Sequence, residues 1–266
     1  MEILRKKYIL SRAFKLKRFI KKWAAYLYWK CADLADFFYV ILRARLFRCL
    51  DFCHTVIRFY PKNHRFAKTD FAILSEYWLH PPFSISKRYL QLKLEPDVYQ
   101  YGETPLRTME KIAQYAHISK GDCLFELGCG IGRCALWLAY FKECSVVAIE
   151  QIPDFVDFSQ TLVEKDEFLK EKVSFIKADF LSVDLHRATV VYLYGTKMTD
   201  AQIELLILNL RKSPLKTTVI TVSYSLNEII AVSKNYAILK ERFLIVKKFE
   251  GEFFWGKATV FIQKKL

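Results

Sequence analysis

Three glycines and three carboxylates mark the part of this chain that could do chemistry. Gly128, Gly130 and Gly132 alternate within Leu124–Arg133 (LFELGCGIGR), and Glu126 stands two residues before the first of them. Cys123–Leu127 reads as a short buried strand and Cys134–Phe141 as an apolar helix, which makes the glycines the turn between them. Glycine admits φ > 0 and lets a ligand lie against the main chain. The helix start that follows presents unpaired N–H groups. The dinucleotide fingerprint spaces its glycines G-x-G-x-x-G; here the third comes one residue early. Ser145–Ile149 is a second apolar run, closed by Glu150, where a nucleoside-binding sheet places an acid for the ribose hydroxyls. Val173–Lys177 is a third, followed by Ala178, Asp179 and Phe180. An acid and an aromatic at that tip suit an adenine ring, one accepting from its amino group and the other packing on its face. Val190–Tyr194 is a fourth run, whose tip should face the reacting group.

An acid followed by G-x-G-x-G resembles motif I of the class I S-adenosylmethionine (SAM) methyltransferases, and residues 97–264 resemble that fold. The resemblance implies SAM as cofactor, bound by Glu126, Gly128, Gly130, Gly132 and Glu150, with Asp179 and Phe180 at the adenine. Tyr101–Thr104 (YGET), about 25 residues ahead of ELGCGIG, and Ala178–Leu181 (ADFL) resemble the lysine methyltransferases that lack a SET domain, the family of the nucleosomal histone H3 enzyme. VVYLY and the later Trp255-Gly256 are similar to small bacterial and mitochondrial relatives, some of which methylate lysine in ATP synthase subunit c. The resemblance implies that Glu103 and Thr104 contact the methionine end of SAM and that a protein lysine is the acceptor. Tyr101 and Tyr194 are the candidate catalytic residues, as walls of the acceptor channel. A lysine must arrive neutral, which an aromatic channel favours by desolvating the ammonium; a dedicated base is then unnecessary. The chain departs from the family in having Glu126 where Asp is commoner, and Tyr194-Gly195-Thr196 where an Asn-rich tip is usual. The second departure bears on the substrate more than on the cofactor.

Strands and helices alternate around these residues and finish in two consecutive strands. That pattern predicts an α/β, doubly wound seven-stranded sheet in the order 3-2-1-4-5-7-6, its last strand antiparallel, with a helical N-terminal extension. Helices are expected from Phe71 to Leu79, from Pro105 to Ala116 with Thr104 as cap, from Pro153 to Lys170, and over Thr199–Leu210 and Ser225–Ser233. The pattern leaves Lys87–Leu94 open between extended and helical. Thr217–Val222 is a fifth strand run, and two β-rich runs, Ile238–Phe249 and Lys257–Gln263, are joined by Glu250–Gly256.

Charge divides the chain in two. Residues 1–66 hold 16 Lys+Arg against 4 Asp+Glu, so +12 of the net +14 lies there and residues 67–266 carry +2. The expected domains are therefore a basic amphipathic extension, 1–66, and a methyltransferase domain, 67–266. Near-neutral charge in the second disfavours a nucleic-acid groove, and strand four lacks both the N/D-P-P-Y/F tetrad and the Pro-Cys of base methylation. RNA or small-molecule methylation, and a catalytically silent SAM-binding adaptor docking through its basic helix, stay as alternatives. Leu16, Phe19, Ile20, Trp23, Leu27, Leu34, Phe38 and Ile41 form one helical stripe. Lys30, Asp33 and Asp36 make a membrane span unfavourable, which leaves residues 1–60 as a peripheral membrane contact or a helical cap packed on the domain. The seven cysteines are odd in number and lack a CxxC, so they are expected to be reduced and buried in a cytosolic-type compartment. Cys49, Cys53 and His54 read as a helix face, and no metal site is expected. The implied location is the cytoplasm, with the basic segment reaching the inner face of a membrane in the peripheral reading.

Overall fold

A computed structural model of the protein describes residues 42–266 with the exception of 96, 99, 234, 236–238 and 240. The chain divides into two units, Met1–Cys49 and Leu50–Leu266. In the first, residues 42–49 are helical; the amphipathic stripe of residues 16–41 lies outside the described residues. The second unit carries the sheet.

That unit begins with α1 (residues 50–58), a 3-10 turn at Tyr60–Lys62, α2 (His64–Leu79) and α3 (Pro82–Leu92). After α4 (Leu106–Tyr115) come β1 (Cys123–Leu127), α5 (Arg133–Lys142), β2 (Ser145–Glu150), α6 (Pro153–Glu164), α7 (Glu167–Lys172) and β3 (Val173–Lys177). The second half contains β4 (Val190–Leu193), α8 (Asp200–Leu210), β5 (Thr218–Val222), α9 (Leu226–Val232), β6 (Phe243–Phe253) and β7 (Gly256–Lys265). The sheet order is β3-β2-β1-β4-β5-β7-β6, with β7 antiparallel to both neighbours. β4 and β5 are buried along their whole length and β1 from its second residue on, as parallel strands covered on both faces must be. One core cluster gathers the buried side chains of α2, α4 and α5 against the sheet, and a second gathers those of α8 and α9.

Local chemistry moves several boundaries. Asn63 accepts from the Phe66 amide, so α2 starts at His64, well before the expected Phe71. Asp166 accepts from the Phe168 and Leu169 amides and divides the single helix expected after Pro153 into α6 and α7. Thr104 does not cap α4; the cap position falls on Pro105, and the Thr104 hydroxyl pairs with that of Tyr192. β6 runs on to Phe253, leaving Phe254 and Trp255 as the hairpin turn in place of a seven-residue connection. Cys129, Cys134 and Cys144 are buried, while Cys49 and Cys53 are exposed.

Two sets of contacts build residues 51–66 into the sheet-bearing unit. Phe59 and Phe66 are buried in an aromatic cluster with Trp137, Tyr140 and Phe141 of α5. Arg133, the first residue of α5, is buried between α1 and α2: Nε and Nη2 donate to the two oxygens of Asp70 at 2.6 and 3.0 Å, and Nη1 donates to Asp51 at 3.2 Å. The Tyr60 hydroxyl donates to Asp70 at 2.9 Å. Burial works against the guanidinium charge, and Asp70 and Asp51 more than offset it.

Removing one partner of such a buried pair strands the other. Asp70→Ala should lower unfolding free energy by about 3–5 kcal/mol in urea titrations. Arg65→Ala, which breaks the exposed pair to Asp166, should cost under about 1 kcal/mol.

Candidate cofactor site

The strand order reverses between β1 and β4, so helices leave the carboxyl ends of these two strands in opposite directions. A crevice opens there, which is where open α/β sheets bind ligands. Both ends carry candidate residues. From the end of β1 come Glu126, Gly128, Cys129, Gly130 and Ile131; from β4 come Tyr192 and Tyr194; Gly102, Glu103 and Thr104 cross above, and Arg133 and Cys134 of α5 complete the lining.

The turn is held by its own backbone. The Gly128 and Cys129 amides both donate to the Ile149 carbonyl at 2.9 Å. Gly132 has φ +71, and a Cβ there would come within 2.5 Å of the Phe175 ring, so helix and strand can meet this closely only over glycine.

Glu126 is fully buried in this lining, and its Oε2 has no hydrogen-bond partner. Burial pushes its carboxyl up to about 8; the Ala135 amide opposes the rise and the Glu150 charge adds to it. Glu150 is equally buried but well partnered: Oε2 accepts from the Gly130 amide at 3.0 Å, and Oε1 from Gln151 at 2.8 Å and Ile152 at 3.0 Å. Burial raises its pKa, and these three amides pull it back. Glu150 thus braces the glycine turn as well as standing at the β2 tip. The buried Cys129 and Cys134 thiols are pushed well up by burial and by the Glu126 charge, so neither is a thiolate near neutrality.

Aromatic rings close the other side. The Tyr101 hydroxyl donates to Glu103 at 3.0 Å. Its ring lies on Phe155 and over the turn, 3.4 Å from where a Gly130 Cβ would stand. A Cβ on Gly102 would come within 2.6 Å of the Tyr194 ring, so glycine lets this segment cross the β4 tip. Tyr194 accepts from Trp255 Nε1 and packs edge-on to Phe253, which stacks on Trp255. The Thr108 hydroxyl donates to the Glu252 carbonyl, and Arg107 pairs with the Glu252 carboxylate, which ties this hairpin to α4.

Tyr101, Glu103, Thr104, Glu126, Gly128, Gly130 and Tyr194 therefore meet in one cleft, with Gly132 and Glu150 directly behind it. Asp179 and Phe180 do not reach the lining. Asp179 is exposed and accepts from the Leu181 amide at 2.9 Å, closing its own turn, and Phe180 packs on the second core cluster. Sequence reasoning missed Arg133, Tyr192 and Phe253. Tyr192 alternates with Tyr194 on a strand of period two and so could have been placed on the same side; Arg133 offered only its position after the last glycine.

No family model matches the chain. Among curated proteins it is similar to a sterol 24-C-methyltransferase of Eremothecium gossypii, 31% identical over 88 residues, which are 33% of this chain and 23% of the relative. It is also similar to a protein-lysine N-methyltransferase of Saccharolobus islandicus, 28% identical over 95 residues, 35% of this chain and 58% of the relative. The chain spans about a quarter of the first and under two thirds of the second. Among solved structures it is similar to an RNA methyltransferase from Salinibacter ruber in complex with S-adenosyl-L-homocysteine, with a TM-score of 0.47 and 21% identity over 60% of this chain and 91% of the other. The sheet order, the antiparallel β7 and an acid-G-x-G-x-G turn at the reversal point define the class I methyltransferase fold.

The raised Glu126 pKa has a thermodynamic consequence. Between the ordinary carboxylate value and about 8, the native state keeps a proton that the unfolded chain has lost, so stability falls as pH rises across that window. Glu126→Gln removes this dependence. Its stability relative to the parent chain should rise steadily from pH 5.5 to pH 8.5 in urea unfolding; a constant difference would mean that Glu126 stays ionised.

Proposed function

We propose that this chain is a SAM-dependent methyltransferase and that its acceptor is a protein lysine. The cofactor reading rests on the charge of the cleft. Glu103 and Glu150 converge on the glycine turn beside the protonated carboxyl of Glu126, while Arg133 is neutralised by Asp51 and Asp70. A pyrophosphate would be repelled there. A ligand with a sulfonium, an ammonium and no phosphate matches the field.

The residues present fit such a ligand. Glu126, with an unpartnered oxygen, and Glu103 would hold the amino-acid end; Glu150 keeps lone-pair capacity for ribose hydroxyls beyond its three amides. Asp179 and Phe180, outside the lining, are assigned to the adenine end by sequence alone. Bound SAM supplies a methyl on a sulfonium that is already electrophilic. The chain's own task is then to align the acceptor and exclude water. Tyr101, Tyr194, Phe253 and Trp255 wall the approach with rings. Such walls disfavour an ammonium, so a lysine amine enters neutral and attacks without a protein base.

The YGET segment and the likeness to the Saccharolobus protein support lysine over the sterol and RNA acceptors named for other similar proteins. The net +2 over residues 67–266 supports it over nucleic acid.

Gly130→Arg forces a side chain at φ +55 under the Tyr101 ring, and should abolish SAM binding by calorimetry in a variant that still folds. Unchanged affinity would remove the cofactor assignment. With methyl-labelled SAM and cell extract, label should be recovered as methyl-lysine after acid hydrolysis of the protein fraction. Tyr194→Ala, which removes the ring from the wall, should lower that incorporation about tenfold while leaving SAM affinity within about twofold. Label in RNase-sensitive or solvent-extractable material would overturn the lysine reading, and SAM binding with no transfer would identify a silent adaptor.

A further inference from the structure

Helix α2 has two apolar stripes. Phe66, Asp70, Ile73 and Tyr77 point inward, and Asp70 is matched by Arg133. The other stripe points to solvent: Phe71, Trp78 and Leu79 are 62%, 81% and 78% exposed. Phe71 and Trp78 are seven residues apart and so stack two turns apart on one face. A helix of a globular domain ordinarily turns a polar face outward. The far end of α3 and the turn after it also expose apolar side chains, with Leu92 and Leu94 at 79% and 89% exposure.

Charge identifies what this face meets. Residues 64–94 carry Arg65, Lys68, Lys87, Arg88 and Lys93 against Asp70 and Glu76, with Arg65 paired to Asp166 and Arg88 to Asp154. Asp70 is buried on Arg133, which leaves Glu76 as the acid of these helices toward solvent. Exposed Trp, Phe and Leu among Lys and Arg are complementary to an anionic lipid surface, where rings sit at headgroup depth and cations meet lipid phosphates. A protein partner with an acidic rim is the rival occupant. On its inner face Tyr77, next to Trp78, packs on Phe155 and Phe158, and Phe155 in turn packs on Tyr101. The C-terminal end of α2, which carries Trp78 and Leu79, therefore lies close to the wall of the cleft.

We infer that the outer face of α2, through Phe71, Trp78 and Leu79 with the basic residues around them, docks the folded unit on an anionic membrane surface and brings the mouth of the cleft to it. This contact is made by the folded unit itself and stands independently of the cofactor reading.

The test uses the full chain and phosphatidylcholine vesicles with and without phosphatidylserine. The parent chain should sediment with the anionic vesicles and not with pure phosphatidylcholine. The exposed double substitution Trp78→Glu/Leu79→Glu should weaken partitioning at least about tenfold, with thermal midpoint and SAM affinity unchanged. Brominated acyl chains should quench tryptophan emission in the parent chain, and Trp78→Phe should reduce that quenching. If the double variant sediments like the parent, residues 1–49 carry the membrane contact and the inference is wrong. It is equally overturned if the parent ignores the vesicles, including the case in which it self-associates in sedimentation velocity and the double variant does not. That last result would make the face a protein interface. SAM affinity measured on the same samples reports on the cofactor reading separately.

Discussion

A buried guanidinium holds the helices before the sheet in place against it. Arg133 stands where the glycine turn becomes helix α5, and its two carboxylate partners come from α1 and α2. Taking three charges out of water is costly, and their attraction roughly recovers that cost rather than adding net stability. The pair geometry instead fixes position. Asp70 engages two nitrogens of a planar fork, so α2 can meet α5 in one register and not in its neighbours. The aromatic cluster of Phe59, Phe66, Trp137 and Phe141 would tolerate small slips; the ionic triad does not. The helices ahead of the sheet thus become the back wall of the cleft instead of a separable appendage.

The same arrangement sets the electrostatics of the site. With Arg133 neutralised, the acids around the glycine turn face little positive charge from the protein. Glu150 draws on three amides, and Glu126 draws on almost nothing, which is why its carboxyl holds a proton near neutrality. A cleft of this kind stabilises a cation that enters it and offers no compensation to a phosphate. The choice between a sulfonium nucleoside and a dinucleotide is therefore made by side chains around the turn as much as by glycine spacing.

Much of this was legible in the chain. The five apolar runs, the glycine turn and the paired terminal strands predict the sheet order correctly, because each signal is local: a period, a turn residue or a tip acid. Gly132 could be read as a required glycine before the Phe175 ring that requires it was known. What escaped was non-local. Asp51, Asp70 and Arg133 are separated by as many as 82 positions, and each alone resembles a surface charge on an amphipathic helix. Charge density falls after residue 66, whereas burial of Asp51, Phe59 and Phe66 ties the residues before it to the sheet-bearing unit. Thr104 looked like a helix cap because Pro105 follows it, yet the nearby Tyr192 hydroxyl takes its side chain. Asp179 had the right type at the right strand tip, and the structure shows its carboxylate used by its own turn.

β7 enters the sheet between β5 and β6, and the buried ammonium of Lys265 at its end donates to the carbonyls of Leu210, Arg211 and Ser213 at the close of α8. Those carbonyls are made more than fifty residues earlier, and β6 has no sheet neighbour until β7 arrives. During vectorial synthesis the nascent unit leaves the ribosome with one edge of β5 open and the last turn of α8 uncapped. The parallel half, with its glycine turn, can assemble while translation continues. Closure of the sheet waits for residues 256–265, so the interval between these events is when the growing chain most needs protection from strand-edge association.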